Sequence, residues 1–409
     1  MRDVNLKRDV LNLTVIVSAL GYFVDIYDLV LFSIVRVASL KDLGVPESEL
    51  LAVGVRLLNM QMAGMLIGGI IWGILGDKLG RVSVLFGSIL MYSLANIANG
   101  LINNVEAYAW LRLIAGIGLA GELGAAITLV SESLPKESRG IGTSVVAGIG
   151  VSGALLAATI GKHFPWQFAY IAGGTLGLLL LILRVKMLES GMFNQMRDDR
   201  DVSRGDITML FTNLERFGRY MDCILIGIPL WFVIGILVTF SPEICRALGA
   251  TDPVSAGDGI FWAYTGLVIG DIGSGVISQW LKSRKATLWI FQSVSAALIL
   301  IFLFSRGMSA NYYYMLCFLL GCSVGYWAIF VTVAAEQFGT NLRATVATTV
   351  PNFVRGSVIL VTTAFTVLQN RVGIVQGALT VGIVCVMIGM LALRRLKESF
   401  GKDLNWLES

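Results

Sequence analysis

Apolar residues run through this chain in long blocks separated by short polar ones. Twelve blocks lie near 10–38, 48–75, 82–103, 105–132, 139–161, 166–188, 221–241, 258–281, 286–305, 311–335, 344–368 and 373–393. Each is close to the roughly 20 residues that a helix needs to cross about 30 Å of hydrocarbon. Backbone polar groups in lipid must be satisfied within the segment, so these blocks are predicted to be helices. The expectation is an all-α membrane protein with twelve transmembrane helices in two pseudo-symmetric six-helix bundles. The one long polar stretch divides it into a bundle over 1–188, a linker over 189–220 and a bundle over 221–409.

The two halves repeat. Gly121, Thr128, Glu132 and Arg139 recur at one constant offset as Gly325, Thr332, Glu336 and Arg343. Both sets lie where an apolar block runs into a short polar loop. Internal repeats of this kind are common among secondary transporters, which hold their substrate between the repeats near the bilayer midplane.

Composition agrees with a bilayer as solvent. The 409 residues are 56% hydrophobic and only 14% charged, too few charges to cover a soluble protein of this size. Mean hydropathy is +0.77. The net charge of +4 reflects where the basic residues sit and is no nucleic-acid signal. One set of connections holds most of them, including Lys7, Lys78, Arg81, Lys136, Arg184, Arg200, Arg219, Arg284, Arg343 and Arg395. The opposite set holds Lys41, Lys162, Arg246, Arg306 and Arg371. The positive-inside rule then puts both termini and the linker in the cytoplasm. The charged stretch 1–10 shows no cleavage site after the first apolar run, so that helix is expected to be retained. Cys223, Cys245, Cys317, Cys322 and Cys385 have no metal-ligand spacing and read as packing residues.

A tight charged turn follows the second block: Gly73-Ile-Leu-Gly76-Asp77-Lys78-Leu-Gly80-Arg81. It resembles the signature loop of the major facilitator superfamily, GxLaDrxGR. A weaker echo, Gly275 to Lys285, lacks the acid. The resemblance extends over the whole chain through the helix count, the linker and the duplicated motifs. Arg112 to Glu122, followed by Glu132 to Gly140, is similar to the RxxxGxGxGGE and ExxPxxxRG runs of its metabolite:proton symporter and sugar-porter branches. Asp25-Ile-Tyr-Asp28 is similar to the DGxD of aromatic-acid symporters, with Ile26 in place of glycine. The glutamine-rich contacts of sugar porters are missing from the fifth and seventh blocks, which disfavours a hexose. The Gly73–Arg81 turn, with Asp77, can pair across the halves and break as they rock, a gating role. Glu132, Arg139, Glu336 and Arg343 at cytoplasmic helix ends read as gating or structural brackets. The resemblance implies a link to proton transfer for Arg112.

Charges inside apolar blocks carry the chemistry. Asp25 and Asp28 share one face of the first helix near its middle, where ionised carboxylates are costly and face a cavity or a partner. With Glu122 and Arg112 they are the candidate proton-coupling groups, the alternative being structural pairing. Arg355, Arg56, Tyr27, Trp231 and Asp271 are the candidate substrate-binding residues, the two arginines for an anionic group because arginine stays charged and forks onto carboxylates. Pairing of Arg355 with Asp271, or of Arg56 or Arg112 with Asp25 or Asp28, is the competing reading. Tyr27 and Trp231 are the cavity aromatics singled out, from a set that includes Tyr22, Tyr326, Trp327 and Phe353. Arg36 is expected to snorkel at the outer end of its helix.

The expected function is proton-coupled symport of a small organic anion or zwitterionic metabolite by alternating access. Proton-antiport efflux of apolar or cationic compounds and facilitated uniport are the alternatives. With one histidine and no Ser/His, Cys/His or metal-ligand cluster, an enzyme, a metal or another cofactor is not expected. The partners are a small-molecule substrate, protons and the lipid bilayer, with no nucleic acid. The chain is expected to be a monomer in the plasma membrane, a bacterial inner membrane, with both termini cytoplasmic.

Overall fold

The computed structural model describes residues 13–79, 81–122, 146–189, 207–401 and 408. All membrane-length elements among them are helices. They are α1 (Leu13–Asp42), α2 (Leu50–Leu79), α3 (Arg81–Asn99), α4 (Val105–Leu119), α5 (Gly153–His163) and α6 (Trp166–Glu189) in the first half. The second half holds α7 (Leu214–Phe232), the short α8 (Ser241–Ala247), α9 (Ala256–Leu281), α10 (Arg284–Phe304), α11 (Ala310–Val324), α12 (Trp327–Glu336), α13 (Thr340–Gly356), α14 (Val358–Val372) and α15 (Ile374–Arg395). Ten described segments are long and apolar enough to cross a membrane. The shorter α3 and α4 occupy the third and fourth positions of the predicted twelve. Helix α7 starts at Leu214, ahead of the expected 221.

Polar residues set many helix starts. Asn104, Asn213, Ser255, Ser283 and Ser309 each turn a side-chain oxygen onto a free amide of the first turn. Breaks within the described spans occur in both halves, among them at Ala120–Gly121 and at Ser152 in the first. Pro229 cannot donate a backbone hydrogen bond, and α7 passes into a π turn over Val233–Val238. Span ten breaks between α11 and α12 at Gly325 and Tyr326. Span eleven breaks between α13 and α14 at Ser357, just beyond Arg355.

Close helix contacts repeat between the halves. Gly64 and Gly116 bring α2 and α4 backbone to backbone. Gly270 and Gly325 do the same for α9 and the end of α11, where a Cβ on Gly325 would lie 2.5 Å from the Gly270 Cα. Small residues allow such approach in lipid, where apolar side chains alone give helices little reason to associate. Large apolar side chains such as Leu94, Leu179, Trp280 and Leu360 point outward, as a lipid-facing surface requires.

The halves meet through α1 with α9, α2 with α13 and α14, and α5 with α9. At the end that carries α8 they are fastened by charge. Arg36 is fully buried and grips Glu243 through both oxygens, at 2.8 Å each. It also donates to the Leu50 and Thr239 carbonyls and lies over the Phe240 ring. This corrects the expectation of a snorkelling side chain. Lys162–Asp258 and Arg246–Glu47 form exposed pairs at the same end. Deeper in, Asn352 donates to the Ala120 carbonyl across the interface.

Candidate functional site

Asp25 and Asp28 are both fully buried, near the middle of α1. Their neighbours differ. Asp25 looks across the interface to Arg355 of α13, 3.7 Å away. Asp28 looks into its own half, where Arg112 of α4 and Asn96 of α3 face it. Neither carboxylate has a hydrogen-bond partner among the described residues. One turn of helix thus assigns one acid to the interface and the other to the first bundle.

Arg112 is held on its other sides. Its Nη2 donates to Asn96 at 2.5 Å, and the guanidinium lies over the Tyr170 ring. Tyr170 and Tyr108 share a hydrogen bond of 2.7 Å, and Tyr108 donates onward to Ser39. Space for Asp28 comes from Gly173 of α6, where an added Cβ would run into the carboxylate.

Arg355 is 1% exposed, and its Nε and Nη1 have no hydrogen-bond partner among the described residues. The Trp327 ring lies 5.9 Å from its guanidinium carbon. Tyr22 of α1 lies within electrostatic range of Arg355, Asp25, Asp271 and Tyr264. Tyr264 shares the first two neighbours. A guanidinium, a lone carboxylate and three large aromatic rings therefore converge where the halves meet. The Arg355–Asp271 pair of the competing reading is not formed. Asp271 instead receives the Ala328 amide at 3.1 Å, in the first turn of α12.

Other predicted residues fall elsewhere. Arg56 is exposed and pairs with Glu106 at 2.5 Å, so the expectation of a cavity arginine or a partner for Asp25 is corrected. Its neighbours Val55, Leu57 and Leu58 are buried, so it is the face of α2 on which Arg56 lies that keeps it outside. Tyr27 spends its hydroxyl on the Ala169 carbonyl, 2.8 Å away, which ties α1 to α6. Trp231 is buried just before the π turn, with its indole nitrogen unpartnered among the described residues. Glu122 pairs with Arg184 of α6 through both oxygens, at 2.5 and 3.1 Å. The pair sits against Gly21 of α1, where a Cβ would strike both side chains. Glu336 accepts from Ser399 at 2.7 Å and faces Arg284 at 3.6 Å, while Arg343 reaches the Phe338 carbonyl. Gly73, Asp77 and Arg81 lie on described helical backbone, but their surroundings are outside the description. Glu132 and Arg139 lie outside the described residues.

Sequence reasoning missed Tyr264, Arg184 and Glu243. Arg184 had been counted as a flanking charge, although nothing polar separates it from the apolar run before it. Glu243 follows Ser241-Pro242 in an apolar setting, which was the available signal.

The Major Facilitator Superfamily profile matches residues 18–363. The chain belongs to the Major Facilitator Superfamily. It is similar to the niacin transporter NiaP of Acinetobacter baylyi, with 25% identity over 80% of this chain and 80% of that protein. It is 33% identical to the 3-(3-hydroxy-phenyl)propionate transporter of Escherichia coli over 32% of this chain and 33% of the relative. It is 29% identical to the 4-hydroxybenzoate transporter PcaK of Pseudomonas putida over 45% of this chain and 41% of the relative. Among solved structures, a D-xylose-proton symporter superposes with a TM-score of 0.69 at 15% identity, covering 95% of this chain and 99% of that one. The protein is accordingly a multi-pass membrane transporter of the twelve-helix facilitator fold, and not an enzyme.

Proposed function

We propose that this transporter is a proton-coupled symporter of small organic anions, with aromatic carboxylates as the leading class. The observation that carries the reading is the state of Arg355. A buried guanidinium keeps two unpartnered donor atoms and holds its one carboxylate at a loose 3.7 Å, beside Trp327. A substrate carboxylate in place of Asp25 would satisfy the fork, and a ring would lie against Trp327, Tyr22 and Tyr264. The compounds named for the relatives (niacin, a hydroxyphenylpropionate and a hydroxybenzoate) are all aromatic carboxylates or their conjugate acids.

Coupling follows from charge balance. An ionised Asp25 competes with the substrate for Arg355, and protonation removes the competitor. Substrate and proton then enter together, leaving the interface neutral enough to rock past the midplane. Asp28, facing Arg112, is a second proton site within the first half. In the positive-inside orientation the Arg36–Glu243 end faces outward, in a bacterial inner membrane. An efflux site for cations would have no use for an unsatisfied arginine at its centre.

Uptake in proteoliposomes tests this. Benzoate, nicotinate and 4-hydroxybenzoate serve as probes, with an imposed pH gradient. Accumulation should follow the gradient in the wild type and vanish in Arg355→Ala. Asp28→Asn should lose uphill accumulation while retaining exchange of internal for external substrate. Uptake indifferent to pH, or to Arg355, would overturn the proposal.

A further inference from the structure

Four of the buried or partly buried carboxylates already described have a guanidinium. Asp25 faces Arg355, Asp28 faces Arg112, Glu122 grips Arg184 and Glu243 grips Arg36. Asp271 is the exception. Asp28 forms no close ion pair either but lies in the field of Arg112, whereas among the described residues no basic side chain is among the groups that act on the Asp271 carboxylate.

Its position is nevertheless well defined. Gly270 and Gly325 let α9 and the end of α11 touch, and a Cβ on Gly325 would lie 2.7 Å from the Asp271 amide. That contact sets Asp271 beside the break in span ten. Its Oδ1 takes the Ala328 amide, and the Trp327 amide is the next donor to the carboxylate. The partial positive charge of the α12 N-terminus favours an anion here. Oδ2 is buried with no hydrogen-bond partner among the described residues. Tyr22, which shares the surroundings of Arg355, shares those of Asp271 as well. A buried acceptor left without a donor is costly, and the Ala328 amide on Oδ1 does not relieve Oδ2.

We propose that Asp271 is a second polar subsite of the substrate cavity, one that accepts a hydrogen bond from a donor on the substrate. The transported anion would then be a carboxylate carrying a hydroxyl, an ammonium or a protonated ring nitrogen away from its carboxylate. Arg355 takes the acid, Trp327 and Tyr22 flank the body, and Asp271 reads the donor. This assignment rests on the organic-anion reading above and narrows it. It accounts for a carboxylate that, among the described residues, has no basic side chain acting on it. It also gives the break in span ten a role: only an interrupted helix offers free amides to hold Asp271 in place.

The test is a matched panel on the purified full chain: benzoate, 3-hydroxybenzoate and 3-(aminomethyl)benzoate, with affinity read from ligand-induced shifts in melting temperature. A hydrogen bond to a charged acceptor predicts at least about tenfold tighter binding of the two donor-bearing probes by wild type. Asp271→Asn keeps an acceptor for Ala328 and therefore the cap. It should bring the ammonium probe's affinity down to that of benzoate, with benzoate itself unchanged. Equal binding of all three probes by wild type, each still abolished by Arg355→Ala, would overturn the Asp271 assignment alone. Preference for the ammonium probe that persists in Asp271→Asn would overturn it too. If no probe binds, or if Arg355→Ala leaves binding intact, the organic-anion reading falls and takes this one with it.

Discussion

Arg36 of α1 and Glu243 of α8 form a two-pronged ion pair, each contact 2.8 Å long, between the two halves of the transporter. The pair ties the two halves together at this end. Gly54 of α2 leaves room for the arginine, since a Cβ there would lie 2.7 Å from the Arg36 Cδ. Ser33 and Thr239 add a hydrogen bond of 3.0 Å beside it.

Removing the Glu243 charge should shift the equilibrium toward opening at this end. Glu243→Gln strands a buried guanidinium, and breaking such a pair from one side costs about 3–5 kcal/mol. Charged to the closed state alone, that would raise the open population by more than a hundredfold, at 1.4 kcal/mol per factor of ten. Cys245 is 1% exposed and two residues beyond Glu243 on α8, which makes it a native reporter. With the other four cysteines replaced by alanine, maleimide should label Cys245 at least tenfold faster in Glu243→Gln than in the Glu243 parent. An unchanged labelling rate would mean that the exposed pairs Lys162–Asp258 and Arg246–Glu47, or apolar packing, hold this end instead.

The second buried pair is a matter of stability within the first half. Glu122 and Arg184 are both in that half and meet α1 at Gly21. Glu122→Gln should therefore lower the melting temperature markedly, by about 3–5 kcal/mol of lost stability, because Arg184 keeps its charge without a partner. Adding Arg184→Met should recover much of that loss. Thermal melts of the two single variants and the double variant in detergent decide the point. Additive losses would show that each side chain is held by something other than its partner.

The sequence made the ionisable interior visible and left its pairing hidden. Asp25, Asp28, Arg112, Asp271 and Arg355 stand out because a charge inside an apolar block is rare whatever the fold. Which acid meets which base depends on helix rotation and on the crossing of α1 with α13, and neither is written in local spacing. Arg56 shows the error in one direction. Its depth along the chain looked sufficient, but its face of α2 turns outward to Glu106. Arg184 shows the error in the other. A basic residue near a block's end reads as a flank until the fold buries it against Glu122. Tyr264 carried no signal, since aromatic residues are common in spans and only its position across from Arg355 marks it. The helix count, by contrast, needed no tertiary information, because hydrocarbon thickness alone sets the period of the pattern.

Glu398 offers a pH test outside the membrane-spanning segments. It follows α15 and closes over the start of α10, receiving the amides of Arg284 and Lys285 and the hydroxyl of Ser283. Partial burial pushes its carboxyl upward, but the hydrogen bonds from Ser283, Phe400, Arg284 and Lys285 outweigh that and hold it below the ordinary carboxylate range. The sign follows from linkage. A group whose folded value is depressed adds stability above its unfolded value, and that stability is lost as pH falls through the folded value. Glu398→Gln should thus open the α10 start at neutral pH, read as faster amide exchange over 283–287. The gap from wild type should close as the solution is taken from neutral pH to below the ordinary carboxylate range. A difference that stays constant with pH would assign the cap to shape and side-chain length, since glutamine retains one acceptor oxygen but never carries the charge.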